Sequence, residues 1–205
     1  MKQHRFANVT IETAAEICSR FVLKKEVRPL LSESMEPLEF AEALLANKQY
    51  VTGIDFLAHA LQVREAVWWG CLSVQHACGA NLSTSEKEAC RAAAQWVLQP
   101  TEENRAAVHS PAQAAEPASP SGRLAKAVAQ IDGTFAALNS PPVPPVAFAP
   151  AKEVACAVKL ASFKVDPLKS VDAHRLFLEL GIGVADGRFV WPEIKSRAPV
   201  RSSGL

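Results

Sequence analysis

The stretch Val63–Gly79, reading VREAVWWGCLSVQHACG, constrains the fold of this chain more than any other. At helical spacing Val63, Ala66, Val67, Gly70, Cys71, Val74 and Cys78 form one apolar stripe, and Trp68, Trp69 and Leu72 a second. A helix that is apolar around most of its circumference is an inner one, packed on several sides. Adjacent residues are about 100° apart around a helix axis, so the two indoles must be buried in two directions. The segment is expected to be the hub of a helical domain.

The rest of the chain supports that class. Its 205 residues suit one domain of ordinary size, or one domain plus a subdomain. Ala-rich apolar runs and a single Tyr favour helices, because alternating β-branched and aromatic clusters are missing. A net charge of +1 gives no global field to attract nucleic acid or an anionic membrane. No window approaches 18 consecutive apolar residues, so no membrane span is expected. The N-terminal residues MKQHRFANVTIETAAEI are basic without a continuous apolar run behind them, so no secretory signal is expected. Cys18, Cys71, Cys78, Cys90 and Cys156 are odd in number and scattered, which fits small buried thiols in a reducing, cytoplasmic setting better than a disulfide framework.

Taken in order, the spacing predicts a first helix starting after Thr10 or Thr13, with Phe21 and Val22 among its apolar positions, and ending by Pro29. A second is expected over Pro37–Asn47 and a third over Gln49–Leu61, before the Trp helix stops at Gly79-Ala80-Asn81. Ser83–Glu86 and Ser85–Glu88 are overlapping capping boxes for the next helix, which Pro100 ends; Thr101 starts another that runs to about His109. Residues 110–122 are rich in Pro, Ala, Ser and Gln and are expected to be a linker-like surface segment or a weakly held helix end. Helical spacing returns over Arg123–Leu138, Ala151–Val165 and Pro167–Gly181, the last with Val171, His174 and Leu176–Leu178 on its apolar side. Between the first two of these, Ser140–Pro150 carries five prolines and is expected to be extended. The expected division is an N-terminal helical part (9–109), the linker-like segment, C-terminal helices with a proline-rich strap packed on the first part (123–192), and a disordered tail (193–205). The fold class is all-α, an irregular antiparallel array of about eight to ten helices.

No arrangement of residues names a reaction. His76 and Cys78 are two apart, and on a helix such positions point to nearly opposite sides, so they make a poor chelate. A Cys nucleophile would need a His base beside it, and the sequence places none of His59, His76, His109 or His174 there. GIGVADG at Gly181–Gly187 follows a helix where the dinucleotide fingerprint must follow a strand, and reads as a helix C-terminus and turn. Neither a cofactor nor a metal is expected. Arg64-Glu65 before the Trp pair has two readings: an ion pair at the rim of the core, or a partner-binding patch formed with Trp68 and Trp69. The proline run, with Pro142, Pro144 and Pro145, is likewise either a strap across the helices or a preformed extended ligand for a partner.

The order of these features resembles a family of uncharacterised bacterial proteins with an R-E-A-V-W-W core. Phe56–Leu61 leads into Arg64-Glu65-Ala66-Val67-Trp68-Trp69. Ala94–Val97 and Pro100–Arg105 follow, then Pro142–Pro145 and Arg175–Gly181, and the similarity spans roughly Ala14 to Gly187. Before the proline run the chain departs from the pattern, with Asp132-Gly133-Thr134-Phe135 in place of a Trp-Ser-Gly-Gly-type segment. The resemblance implies no catalytic residues. It implies an accessory component encoded near spike and effector genes of type VI secretion systems: an adaptor, chaperone or loading factor that binds a spike or effector protein. The competing expectations are a secreted effector or enzyme using Cys/His chemistry, and an immunity protein for a co-encoded toxin. The near-neutral charge gives the last no support.

Overall fold

The computed structural model describes residues 6–131, 147–165 and 167–192. Among these the chain is an all-α array of ten α-helices with no strand. They are α1 (Ala14–Cys18), α2 (Pro37–Ala46), α3 (Tyr50–Ala60), α4 (Val63–Cys78), α5 (Thr84–Leu98), α6 (Glu102–Ala107), α7 (His109–Ala114), α8 (Pro120–Ala129), α9 (Ala149–Val165) and α10 (Ser170–Ala185). Among the described residues no helix is long and apolar enough to cross a membrane.

Local signals set most of the boundaries. At α5 the Ser83 hydroxyl accepts from the Glu86 N–H at 3.2 Å while a Glu86 carboxylate oxygen accepts from the Ser83 N–H at 3.0 Å. That is a closed capping box, and it selects Ser83 over Ser85 as the start. Thr13, Thr101 and Ser119 cap α1, α6 and α8 in the same one-sided way. Pro37 and Pro120 sit in first turns, where a missing N–H costs nothing.

The centre is α4 with α9. The Trp helix packs against α5, α8, α9 and α10, and α9 against α3, α4, α8 and α10. The hub expected of α4 is therefore shared with a helix whose sequence is far less distinctive. One hydrophobic cluster runs from Phe6 through Trp69, Leu124 and Val158 to Ala185. At about 25 cal/mol per Å² of apolar surface removed from water, such burial is the main force holding the array together. Ion pairs tie helices across it: Glu153 on α9 accepts from Arg123 at 3.0 Å and Lys126 at 2.7 Å on α8, and Lys159 meets Asp55 on α3 at 2.6 Å.

Three expectations are corrected. The first helix ends at Cys18: the Ser19 hydroxyl takes the Glu16 carbonyl at 2.6 Å and the Arg20 N–H drops back to Ile17, so Phe21 and Val22 lie beyond it. Most of α7 and the start of α8 occupy the segment 110–122, where Ala115, Ser119 and Ser121 are buried. α10 runs one turn further than Gly181, to Ala185, and the turn comes at Gly187 with φ +74°. Val171 leaves the apolar side of that helix and is exposed. The proline strap with Pro142, Pro144 and Pro145, the Asp132–Phe135 segment, Asp166 and the 193–205 tail lie outside the described residues.

Candidate functional site

The structure places Arg64, Glu65, Trp68 and Trp69 together in the first half of α4. Trp69 is fully buried between α4 and α10 and donates its indole N–H to the Phe177 carbonyl at 2.8 Å. A side chain with no exposed surface cannot touch a partner. Trp68, on the other side, donates to the Phe189 carbonyl at 3.2 Å, so the chain after α10 crosses it. Among the described residues Arg64 forms no rim ion pair: it donates from Nε to the Val97 carbonyl at 2.7 Å and, more distantly, from Nη2 to that of Leu98. Those are among the last carbonyls of α5, otherwise without helical partners. Its guanidinium also lies 4.1 Å from the centroid of the Trp191 ring. Phe189 and Trp191 of the same chain thus lie over part of the Arg64–Trp68 face, which stays half-exposed. Glu65 has one carboxylate oxygen that is buried without a hydrogen-bond partner among the described residues.

Among the described residues the shifts of four thiols show no imidazole acting on them. Burial pushes the Cys18 thiol up to about 12, and it raises Cys78 as well. Cys71 is raised mainly because its thiol donates to the Cys90 sulfur, which in turn holds Cys90 below its usual value. No imidazole contributes to any of these four displacements. His76 is exposed while Cys78 is buried, so the two do diverge on α4. The Ser162 hydroxyl lies 2.7 Å from His174 Nε2, but Ser162 is wholly buried. A hydroxyl that no substrate can reach clamps α9 to α10; it does not attack anything. Among the described residues no group of three or more His, Cys, Asp or Glu could hold a metal ion.

The surface that stands out lies elsewhere. Within nine residues at the α9–α10 corner, Phe163 is 54% exposed, Val165 45%, Leu168 95% and Val171 63%. Isolated exposed apolar side chains are ordinary, but four large ones at one corner form a patch. Phe163 and Val165 end α9, Leu168 sits in the 3-10 turn Pro167–Lys169, and Val171 opens α10. Lys164 and Lys169 are exposed between them. The patch continues into a recess of about 180 Å³ that Val171 and His174 line together with Lys24, Lys48, Tyr50 and Thr52. The edge of the Phe163 ring meets His174 at 5.6 Å between centroids, so ridge and recess share a wall. An apolar ridge beside lysines can bury the apolar stripe of a partner whose flanks are acidic.

Sequence reasoning missed this ridge. Val171 was assignable to the core by spacing, and Leu168 falls in a turn that breaks the helical period. The exposed run Phe163, Val165, Leu168, Val171 was the available signal. Neither a curated protein nor a solved structure matches the chain. A family model does match, over residues 40–185, which take in α3 to α10 and well over half of the chain. The chain therefore belongs to that family, the family of unknown function DUF6931.

Proposed function

We propose that the protein is a non-enzymatic accessory component, an adaptor, chaperone or loading factor, that holds an effector or spike component of a bacterial type VI secretion system. The observation that carries the binding part is the exposed ridge of Phe163, Val165, Leu168 and Val171. Holding apolar side chains in water forgoes roughly 25 cal/mol per Å², which a docked partner recovers. The lysines beside the ridge select a partner with acidic flanks. Ser162 is inaccessible and the thiols of Cys18, Cys71 and Cys78 are displaced upward, the opposite of what a nucleophile needs; Cys90 is displaced downward, but by the Cys71 thiol and by no imidazole, and together these weigh against the Cys/His alternative. The secretion context rests on the resemblance of the Arg64–Trp69 core and its accompanying motifs alone.

The test is affinity capture of tagged protein from its native bacterial host, for wild type and for Leu168→Glu with Val171→Glu. Both positions are exposed, so the double variant should melt within a few degrees of wild type. Spike or effector proteins recovered with wild type and lost with the variant are the expected result. Recovery undiminished in the variant would move the interface off the ridge. Capture of no secretion component by folded wild type would end the adaptor reading.

A further inference from the structure

His59, in the last turn of α3, is only 4% exposed, and its Nδ1 lies 2.7 Å from the Asp55 carbonyl oxygen. A carbonyl only accepts, so Nδ1 carries the proton and Nε2 of the neutral ring presents a lone pair. Nε2 is buried and has no partner among the described residues. Native structures seldom leave such an atom unpaired, so its surroundings call for an occupant. His59 lines a cavity of about 120 Å³ between the exit of α1, the end of α3, the start of α4 and the start of α9. Val63, Ala66, Ala151 and Val154 give it apolar walls. Arg20 and Phe148 stand at its rim, the guanidinium carbon 5.2 Å from the Phe148 ring centroid, and that ring meets His59 edge-on at 6.1 Å. Phe148 has φ +57°, a left-handed conformation that non-glycine residues seldom adopt and that clusters at ligand clamps.

The charges around the ring set the sign of the ligand. Glu16 approaches from α1 and Arg20 from just beyond its end, paired at 3.1 Å; Asp55 lies one turn back on α3, paired with Lys159 of α9; and Lys152 of α9 also acts on the imidazole. α4 contributes the apolar Val63 and Ala66. Three cations (Arg20, Lys152, Lys159) against two anions (Glu16, Asp55) leave the mouth positive.

We propose that this cavity binds a small monocarboxylic acid with a short alkyl chain, its carboxyl group on His59 Nε2 and its chain against Val63, Ala66, Ala151 and Val154. A cavity of 150 Å³ accepts a benzene ring, so this one suits roughly six non-hydrogen atoms or fewer. The acid's proton passes to Nε2, and the carboxylate accepts a hydrogen bond from the new Nε2–H with the Arg20 cation beside it. No other bond changes. Burial keeps the free imidazole below its usual value against the opposing Asp55 hydrogen bond, so the free ring is neutral at pH 7 and binding of the anion takes up one proton. The site does not depend on the docking ridge, which lies at the other end of α9.

The test uses n-butyrate, with n-butanol as the uncharged comparison, titrated into the full chain while the His59 ring nitrogens are followed by NMR. The expected result is saturable butyrate binding that moves Nε2 from its bare to its protonated signature. Binding should strengthen as pH falls from 8 towards 6.5, by up to about tenfold per unit. In a folded His59→Gln variant that pH dependence should vanish, and Arg20→Gln should weaken binding across the range. Absence of butyrate binding to wild type at millimolar concentration overturns the proposal. So does binding that leaves Nε2 bare, or n-butanol binding as tightly as butyrate.

Discussion

Two neighbouring residues of one type, Trp68 and Trp69, have opposite fates. Trp69 points into the core because Gly181 on α10 leaves room for it: a methyl carbon built on Gly181 would sit 2.7 Å from Trp69 Cε2 and 2.8 Å from Leu57 Cδ1. Trp69 and Leu57 are fully buried, so neither can swing aside. Gly181→Ala is therefore expected to destabilise the fold by about 1–3 kcal/mol, read as a lower urea midpoint at unchanged slope. An unaltered midpoint would mean that α10 is free to slide. The GIGVADG stretch is legible as lacking a nucleotide-binding context, but not as the socket for an indole more than a hundred residues earlier. Close approach between distant positions leaves no trace in local spacing.

Between elements, His174 reports on how α9 meets α10. Burial, and after it the nearby Lys159 charge, holds this imidazole below the ordinary 6.5. The unfolded chain therefore binds a proton near pH 6.5 that the folded chain accepts only at lower pH. The stability contribution is fully present above about pH 6.5 and is lost as pH falls towards the folded value. His59 is displaced in the same direction, again chiefly by burial. The melting temperature is expected to fall between about pH 7 and pH 5, and the fall should be smaller in His174→Gln. Equal slopes in the two proteins would assign the acid sensitivity elsewhere. The helices themselves were mostly legible: a capping box such as Ser83–Glu86 acts within four residues. α7 was obscured because its Pro, Ala and Gln content resembles a linker; Val108 and Ala115, buried on either side of it, anchor it from a distance.

At the scale of the molecule, the sequence divides at 110–122 but the core does not. Residues before the division (Trp69, Val97, Val108) and after it (Leu124, Val158, Phe177) belong to one buried cluster. α8 and α9 pack on α4 and α5 across that division. Thermal unfolding is expected as a single transition with matching calorimetric and van't Hoff enthalpies. Two resolved transitions would restore the two-part division. The same packing leaves the α9–α10 corner outside the core, which is why its apolar side chains face solvent.

The sequence by itself determined the all-α class, most helix boundaries and the central place of the Trp helix, because hydrogen-bond caps, prolines and the 3.6-residue period act within a turn or two. Only the tertiary structure decided that Arg64 would serve the end of α5 and stack on Trp191, that His59, Arg20 and Phe148 would enclose a cavity, and that Val171 would face outward. Each of those depends on which helix faces overlap, and overlap is set by how side chains distant along the chain fill space against one another.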